Sequence, residues 1–225
     1  MPRNQSNAFQ KIIHSQDGVR PTTAFGTTVT ATVINTYGSY AELIDGALVT
    51  DDVYEIWINI NSIAVTASAK DALVTIGIDP AAGTSYVDTI LDLLCSDAGS
   101  YGIAAVGSSC WYKFPLFIKA GSSIAAKLSV NNVVTGTANV FCILFCQPSA
   151  PDLIRVGSFV RTFGADTANS RGTLVTPGTT GEGAYTQIGS ALAEPLWFWD
   201  VGSGINDATI GNNAVIHADV AVGDA

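Results

Sequence analysis

The chain has 225 residues, of which 48% are apolar and only 13% are charged, against about 25% charged in an average soluble protein. With 19 acidic and 10 basic residues its formal net charge is −9, which argues against nucleic acid or an anionic membrane as the main partner, because both bind clustered lysine and arginine. Small residues, including 22 glycines, favour β-sheets joined by tight turns over helices with charged faces.

The N-terminal segment, residues 1–26, is polar and aperiodic. It lacks the apolar core of a secretory signal, and even the longest apolar runs, such as Val140–Cys146, are too short to span a bilayer. We therefore predict a protein that is not secreted. The segment has two interpretations: a disordered tail, or an arm that orders against a neighbouring subunit through Phe9, Ile12 and Ile13.

Strand signals begin at Thr27, and the clearest strand is Val53–Ile60, with the sequence VYEIWINI. Its period of two predicts one set of side chains in the core and the alternate set on the outer face. The predicted core set is Tyr54, Ile56, Ile58 and Ile60. The predicted outer set is Val53, Glu55, Trp57 and Asn59.

Further strands follow the same β-branched and apolar pattern. They are predicted at 27–34, Tyr40–Ile44, Ala72–Ile78, Tyr112–Ala120, Ile124–Val130 and Asn139–Cys146. Tyr86–Leu94 fits either a strand or a short helix. Asn139–Cys146, NVFCILFC, is apolar on both faces, which predicts a central strand covered on both sides.

Residues 115–128, PLFIKAGSSIAAKL, place a small-residue turn between two apolar runs. The pattern predicts a strand–turn–strand corner in which Gly121 supplies a positive φ. Lys119 and Lys127 are predicted to face solvent.

Short strands spaced by about 8–12 residues predict an all-β fold, a jelly-roll-like antiparallel β-sandwich over residues 27–146. The two prolines of 147–153, QPSAPDL, predict a stiff linker. Residues 154–225 are predicted to be a second, partial β-sandwich, because 172–185 resembles 27–40 in the order of its features. Either the natural chain continues past Ala225, or strands of another subunit complete this copy.

The four cysteines are Cys95, Cys110, Cys142 and Cys146. No C-x-x-C spacing occurs, so the sequence does not predict a zinc site. We interpret them as buried thiols that act as small apolar side chains.

Motifs for catalysis are scarce. The two histidines, His14 and His217, have no G-x-S-x-G or phosphate-loop motif to work with. The carboxylate pairs Asp51/Asp52 and Asp88/Asp92 fit turns and solvated faces better than the acid and nucleophile of a glycosidase. We predict a protein that is not an enzyme and has no cofactor, metal site or catalytic residue.

Four tryptophans carry the strongest hint of an interaction surface. Trp57 lies on the polar side of its strand, Trp197 and Trp199 share one face of theirs, and Trp111 precedes a tyrosine. One interpretation is packing at a subunit interface, where tryptophan is enriched. The other is stacking on sugar rings.

Four stretches resemble virion structural proteins of tailed bacteriophages that carry tandem jelly-roll or β-sandwich modules. They are YGSYAELI (37–44), VYEIWINI (53–60), LVTIGIDPAAG (73–83) and FPLFIKAGSSIAAKL (114–128). The resemblance covers most of 27–146 and, more weakly, 172–225.

The resemblance implies a structural role on the particle, as a capsid decoration or cement protein or as a neck, tail or fibre component. It implies assembly in the host cytoplasm, a homo-oligomer that is a trimer or a ring, and docking on virion proteins such as the major capsid protein. The alternative is a carbohydrate-binding adhesin module for host-surface glycans.

Overall fold

The structure is a computed structural model, and it describes residues 9–15, 26–64, 70–97, 110–131, 135–148, 155–176, 183–190, 196, 199 and 201–202. The chain divides into two compact units, Met1–Gly172 and Thr173–Ala225. The described residues of the second unit have no regular secondary structure. Trp197 and His217 lie outside the described residues.

The first unit is built from β-strands. They are β1 (Phe9–His14), β2 (Thr27–Ala31), β3 (Ala41–Ile44), β4 (Val53–Ala64), β5 (Lys70–Asp79), β6 (Val87–Asp97), β7 (Cys110–Phe114), β8 (Ser123–Val130), β9 (Gly136–Pro148), β10 (Ala165–Asp166) and β11 (Arg171–Gly172). A 3-10 turn, Gly46–Leu48, follows β3. Tyr86–Leu94, which fitted a strand or a helix, therefore lies mainly in a strand.

Strands β1 to β9 form two antiparallel sheets, and β10 and β11 pair as a separate two-stranded ladder. Sheet A has the order β1-β9-β4-β7 with β2 also paired to β9, and sheet B has the order β3-β8-β5-β6. Strands β2 to β9 thus give two four-stranded sheets, β2-β9-β4-β7 and β3-β8-β5-β6, which is the jelly-roll arrangement of two Greek keys. The predicted all-β, jelly-roll-like sandwich is confirmed.

The core lies between the sheets and follows the period-two pattern. In β9 the side chains alternate between buried and half-buried along almost the whole strand. Ile56, Ile58 and Ile60 of β4 are fully buried, as predicted, and face Leu128 and Val130 of sheet B in one cluster. Such burial stabilises the fold by roughly 25 cal/mol per Å² of apolar surface.

One end of β4 departs from strict alternation. The pairing of β4 with β9 shifts between Val53 and Glu55, which is the signature of a β-bulge. Val53 is therefore fully buried, while Tyr54 is half-buried and packs edge-on against Phe117, with ring centroids 5.8 Å apart. The prediction that Tyr54 lies in the core and Val53 outside is wrong for this reason.

The predicted corner at residues 115–128 is present. Gly121 has a φ of +81°, a conformation that glycine adopts without strain. Its N–H donates to the Val49 carbonyl at 2.7 Å, and the Ala120 N–H donates to Asp52 at 2.8 Å. The turn is thereby tied to the segment that leads into β4.

The outer face of sheet B is covered by the chain itself. Leu73 and Ala125 are fully buried on that face, and Ser129 forms a 2.7 Å hydrogen bond with Ser170 beyond β10. The segment after the predicted linker also closes one side of the sandwich. Gly157 pairs with Leu116 at the sheet A edge.

The same segment contacts the edge of sheet B through Val160. It forms a parallel bridge with Ile90 of β6, and its N–H donates to the Thr89 carbonyl at 2.9 Å. Residues 155–172 accordingly belong to the first compact unit. The assignment of 147–153 as a linker and of 154–225 as a partial second sandwich stays a prediction.

The cysteines form no disulfide within the described residues, which include all four of them. Cys95, Cys142 and Cys146 are buried and Cys110 is half-buried. Burial raises the pKa of Cys142 to about 12 and that of Cys146 to about 11. These two thiols stay protonated near neutral pH and are poor nucleophiles.

Candidate interaction surface

A continuous row of five aromatic rings crosses sheet A. Phe9 and Phe145 have ring centroids 5.3 Å apart, Phe145 and Trp57 4.8 Å, Trp57 and Trp111 6.4 Å, and Trp111 and Phe141 5.3 Å. These separations lie within the range in which aromatic pairs attract each other. We call these five residues the aromatic row.

Strand register brings four of the five rings together from β9, β4 and β7, and Phe9 of β1 reaches Phe145 from a position opposite Pro148. On β9 the outward side chains of Phe141, Ile143 and Phe145 alternate with the buried side chains of Cys142 and Leu144. Trp57 of β4 lies directly opposite Ile143. Asn59 of β4 lies opposite both Phe141 of β9 and Trp111 of β7.

Few charges accompany the rings. At the described outward positions of β4, β7 and β9, only Glu55 and Lys113 are charged at neutral pH. The Trp57 indole N–H donates to Glu55, and the Lys113 ammonium lies 3.7 Å from the centroid of the Trp57 ring, a favourable cation–π contact. The two opposite charges leave the face close to neutral.

The row is accessible to a partner. Trp111 is 47% exposed and Ile12, opposite Phe145, is 49% exposed. The prediction that β9 is central is correct, because it lies between β4 and the pair β1 and β2. Its outward side chains, however, are half-buried by neighbouring rings and not covered as those of sheet B are.

The interaction residues inferred from sequence are distributed unevenly. Phe9, Trp57 and Trp111 belong to the row, and Ile12 lies beside it. Ile13 is 4% exposed in the core of its own sandwich. Trp199 is 60% exposed in the second unit, and Trp197 lies outside the described residues.

Sequence reasoning missed Phe141 and Phe145. The alternation of Phe141, Ile143 and Phe145 with smaller or aliphatic residues was the available signal. This pattern predicts a strand covered on both faces, because an apolar strand has the same sequence pattern whether its second face packs inside the same chain or against a partner.

A polar cluster occupies the outer face of sheet B. The Tyr37 hydroxyl donates to Asp92 at 2.5 Å and the Tyr40 hydroxyl donates to Asp88. Lys127 donates to both oxygens of Asp88 at 2.8 Å. With only 17% of its side chain exposed, Lys127 does not face solvent as predicted, because these two tyrosines cover it.

This cluster is built to hold fixed charges. Burial, with the neighbouring carboxylates, raises the pKa of both Tyr37 and Tyr40, so both stay protonated donors. Burial alone would raise the pKa of Asp88, but hydrogen bonds from Lys127 and Tyr40 outweigh it and lower that pKa. Groups in these states do not exchange protons near neutral pH.

The Lys127–Asp88 pair predicts a loss of stability in acid. A carboxyl with a depressed folded pKa stabilises the fold above its unfolded pKa of about 3.9, and this contribution disappears as the pH falls through the folded pKa. We expect Lys127→Met to lower the free energy of unfolding at pH 7 by about 1 kcal/mol or less, since the pair is partly solvated. Urea titrations at pH 7 and at acid pH measure the free energy of unfolding of the variant and the wild type.

The difference between Lys127→Met and the wild type should shrink as the pH falls below about 3.9 and through the lowered folded pKa of Asp88, because the carboxyl then becomes protonated in both. Lys119→Met, at an exposed lysine, is the matched control. An equal loss of unfolding free energy at pH 7 and at acid pH would show that Lys127 acts by packing alone.

Within the described ranges, no group of three or more His, Cys, Asp or Glu side chains is arranged to hold a metal ion. No helix there is long and apolar enough to cross a membrane.

No protein-family model matches this sequence, and no curated protein matches it. Among solved structures the chain is similar to the T=1 particle derived from infectious bursal virus, at a TM-score of 0.29 and 8% identity over 60% of this chain and 31% of that chain. It is similar to infectious bursal disease virus Gt strain at a TM-score of 0.28 and 10% identity, over 66% and 38%. The chain therefore spans well under half the length of these two.

A third similar structure is a pentameric capsid protein isolated from metagenomic phage sequences. Its TM-score is 0.20 and its identity 16%, over 62% of this chain and 70% of that chain.

Proposed function

We propose that this chain is a non-enzymatic structural subunit of a virus particle, of the bacteriophage type that its sequence resembles. It acts by association with further copies of itself and with other virion proteins, as a capsid decoration or cement protein or as a neck, tail or fibre component. Assembly takes place in the host cytoplasm, and the final location is the virion.

The aromatic row is the observation that carries this proposal. Trp111 and Ile12 are exposed and the other four rings of the row are half-buried, and a partly exposed apolar patch of this kind marks a candidate interaction site. Aromatic residues are also the group most enriched at interface hot spots. On sheet B the outer face instead carries the polar cluster and packs against residues 155–172 of the same chain.

Charge supports a copy of the same chain as the partner. Each chain carries a net charge of −9, so copies repel each other over most of their surface. On the face of the row, Glu55 and Lys113 offset each other. Contact through this face therefore costs the least electrostatic energy, and a head-to-tail contact between copies closes into a trimer or a larger ring.

The test is the association state of the full chain. Sedimentation velocity from about 1 to about 100 µM, a range that detects micromolar affinities, should show a closed oligomer, a trimer or a ring. A monomer throughout this range would contradict the proposal. Peptide mass spectrometry on purified particles of the encoding virus should find the chain, and its copy number relative to the major capsid protein separates decoration from neck, tail or fibre.

Binding of host glycans stays the alternative. A sugar-binding platform needs open ring faces, whereas Trp57 and Trp111 stand nearly perpendicular at 84° and Lys113 lies over the face of Trp57. A glycan array with the full chain tests this alternative. Binding that is lost in Trp111→Thr, in a chain that remains monomeric, would favour it over self-association.

A further inference from the structure

Strand β1 and strand β2 lie end to end on the same edge of β9. His14 is opposite Ile143, and Thr27 is opposite Val140. Both strands run antiparallel to β9, so they point in the same direction and act as one interrupted edge strand. The gap between them is three residues of β9, or about 10 Å at roughly 3.3 Å per residue.

The connection across this gap is much longer than the gap. Residues 15–26 link β1 to β2, and a chain of this length reaches about 40 Å at roughly 3.3 Å per residue. A sandwich of about 100 residues has a radius of gyration near 13 Å and thus a width of about 35 Å. The tether is therefore long enough to reach the same position on an adjacent copy.

The attachment of β1 is suited to detachment and reuse. Among its described side chains only Ile13 is buried, and its contacts include the β9 ladder, the Lys11–Asp51 ion pair and the Phe9–Phe145 ring contact. If β1 left without replacement, it would expose the ladder edge of Ile143–Pro148, which is a template for another strand. The same strand from a second copy restores every one of these contacts.

We propose that β1 is an exchanged strand: in the assembled oligomer, Phe9–His14 of one copy pairs with residues 143–148 of its neighbour. The inference rests on the proposed function, because a neighbour must be held nearby. Exchange between identical copies replaces each contact by an identical one, so its enthalpic cost is small. In an assembly the neighbour is present at an effective concentration near the millimolar range.

Exchange would also build the aromatic row from residues of two copies. Phe9 of the aromatic row then comes from one copy and Phe145 from the next, so that the row is completed in trans. Each copy is bound to its neighbours both by this strand and by the face that the strand borders. This gives a directional link of the kind that closes rings.

Cysteine cross-linking in trans tests the proposal. One chain carries His14→Cys and a second, differently tagged chain carries Ile143→Cys, and the two are co-expressed and oxidised with copper phenanthroline. Directly opposite residues of an antiparallel pair have Cα atoms about 4.5–5.5 Å apart, within the range that a disulfide spans. Exchange predicts a covalent heterodimer on a denaturing, non-reducing gel.

The matched control donor is Val87→Cys, at a position on β6 that is 64% exposed. It reports random collision, and the His14→Cys donor should give at least about tenfold more heterodimer, as expected for groups held at high effective concentration. The native thiols of Cys142 and Cys146 are buried and add little background. The pair Ile12→Cys and Phe145→Cys, also directly opposite, repeats the test if the first pair folds poorly.

The double variant His14→Cys/Ile143→Cys separates the outcomes. Oligomers without intermolecular disulfide, together with a disulfide inside each chain of the double variant, overturn exchange and leave the proposed function intact. A wild type that sediments as a monomer overturns the proposed function, and exchange fails with it. Heterodimers above the Val87→Cys level in the oligomer fraction support exchange.

Discussion

Replacing Trp111 by threonine should weaken association between copies by about 30-fold, which corresponds to the roughly 2 kcal/mol of an interface hot spot. Trp111 is the most exposed ring of the aromatic row. It contacts two other rings of the row, Trp57 and Phe141. Threonine is β-branched and is enriched in strands, so the monomer should fold normally. Sedimentation velocity gives the association constant, and the near-UV circular dichroism spectrum gives the fold.

The control for this substitution is Val87→Thr. Val87 is exposed on β6 of the other sheet, and the change also removes an exposed apolar side chain. Its association constant should equal that of the wild type. If Trp111→Thr also associates like the wild type, the row is not the contact surface. The variant Trp57→Thr/Trp111→Thr should be monomeric at every concentration measured.

Among the glycines that the structure describes, Gly38→Ala should be the most destabilising change, lowering the free energy of unfolding by about 3 kcal/mol, the upper end of the usual cost of overpacking. A Cβ at Gly38 would lie 2.1 Å from the Thr30 carbonyl oxygen, which belongs to β2 of sheet A. The Gly38 N–H meanwhile donates to the Leu128 carbonyl of β8 at 2.9 Å. The backbone is held from both sheets and cannot yield without breaking one contact.

Urea unfolding followed by tryptophan fluorescence measures this loss. Gly157→Ala is the matched control, because a Cβ there would come no nearer than 3.6 Å to the Phe159 carbonyl oxygen, an ordinary contact. The control should change stability by about 0.5 kcal/mol or less, as surface substitutions do. Equal values for the two variants would mean that the loop around Gly38 can move away from β2.

Local patterns in the sequence predicted much of the first unit. Ile56, Ile58 and Ile60 lie in the core as their alternation indicated, and the glycine corner has the positive φ that its turn residues implied. These features depend on the side-chain period of a strand and on the φ range of glycine, both of which act within a few residues. The N-terminal segment was left open between tail and arm for want of any such pattern.

The tertiary structure alone decided how these pieces combine. The bulge near Val53 comes from pairing with a strand about ninety residues away, and Lys127 is covered because Tyr37, Tyr40 and Asp88 converge on it from other elements. Neither effect leaves a mark in the local sequence, because pairing partners and bulges depend on contacts between distant segments.

The candidate surface shows the same division. The sequence by itself determined that tryptophans lie on strands and that β9 has apolar residues on both faces. Only the strand order β9-β4-β7 placed Phe145, Trp57 and Trp111 side by side, and only the path of residues 155–172 brought Ser170 against Ser129 on the outer face of sheet B. Which face of a sandwich stays open depends on where the remaining chain packs, and that is settled by non-local contacts.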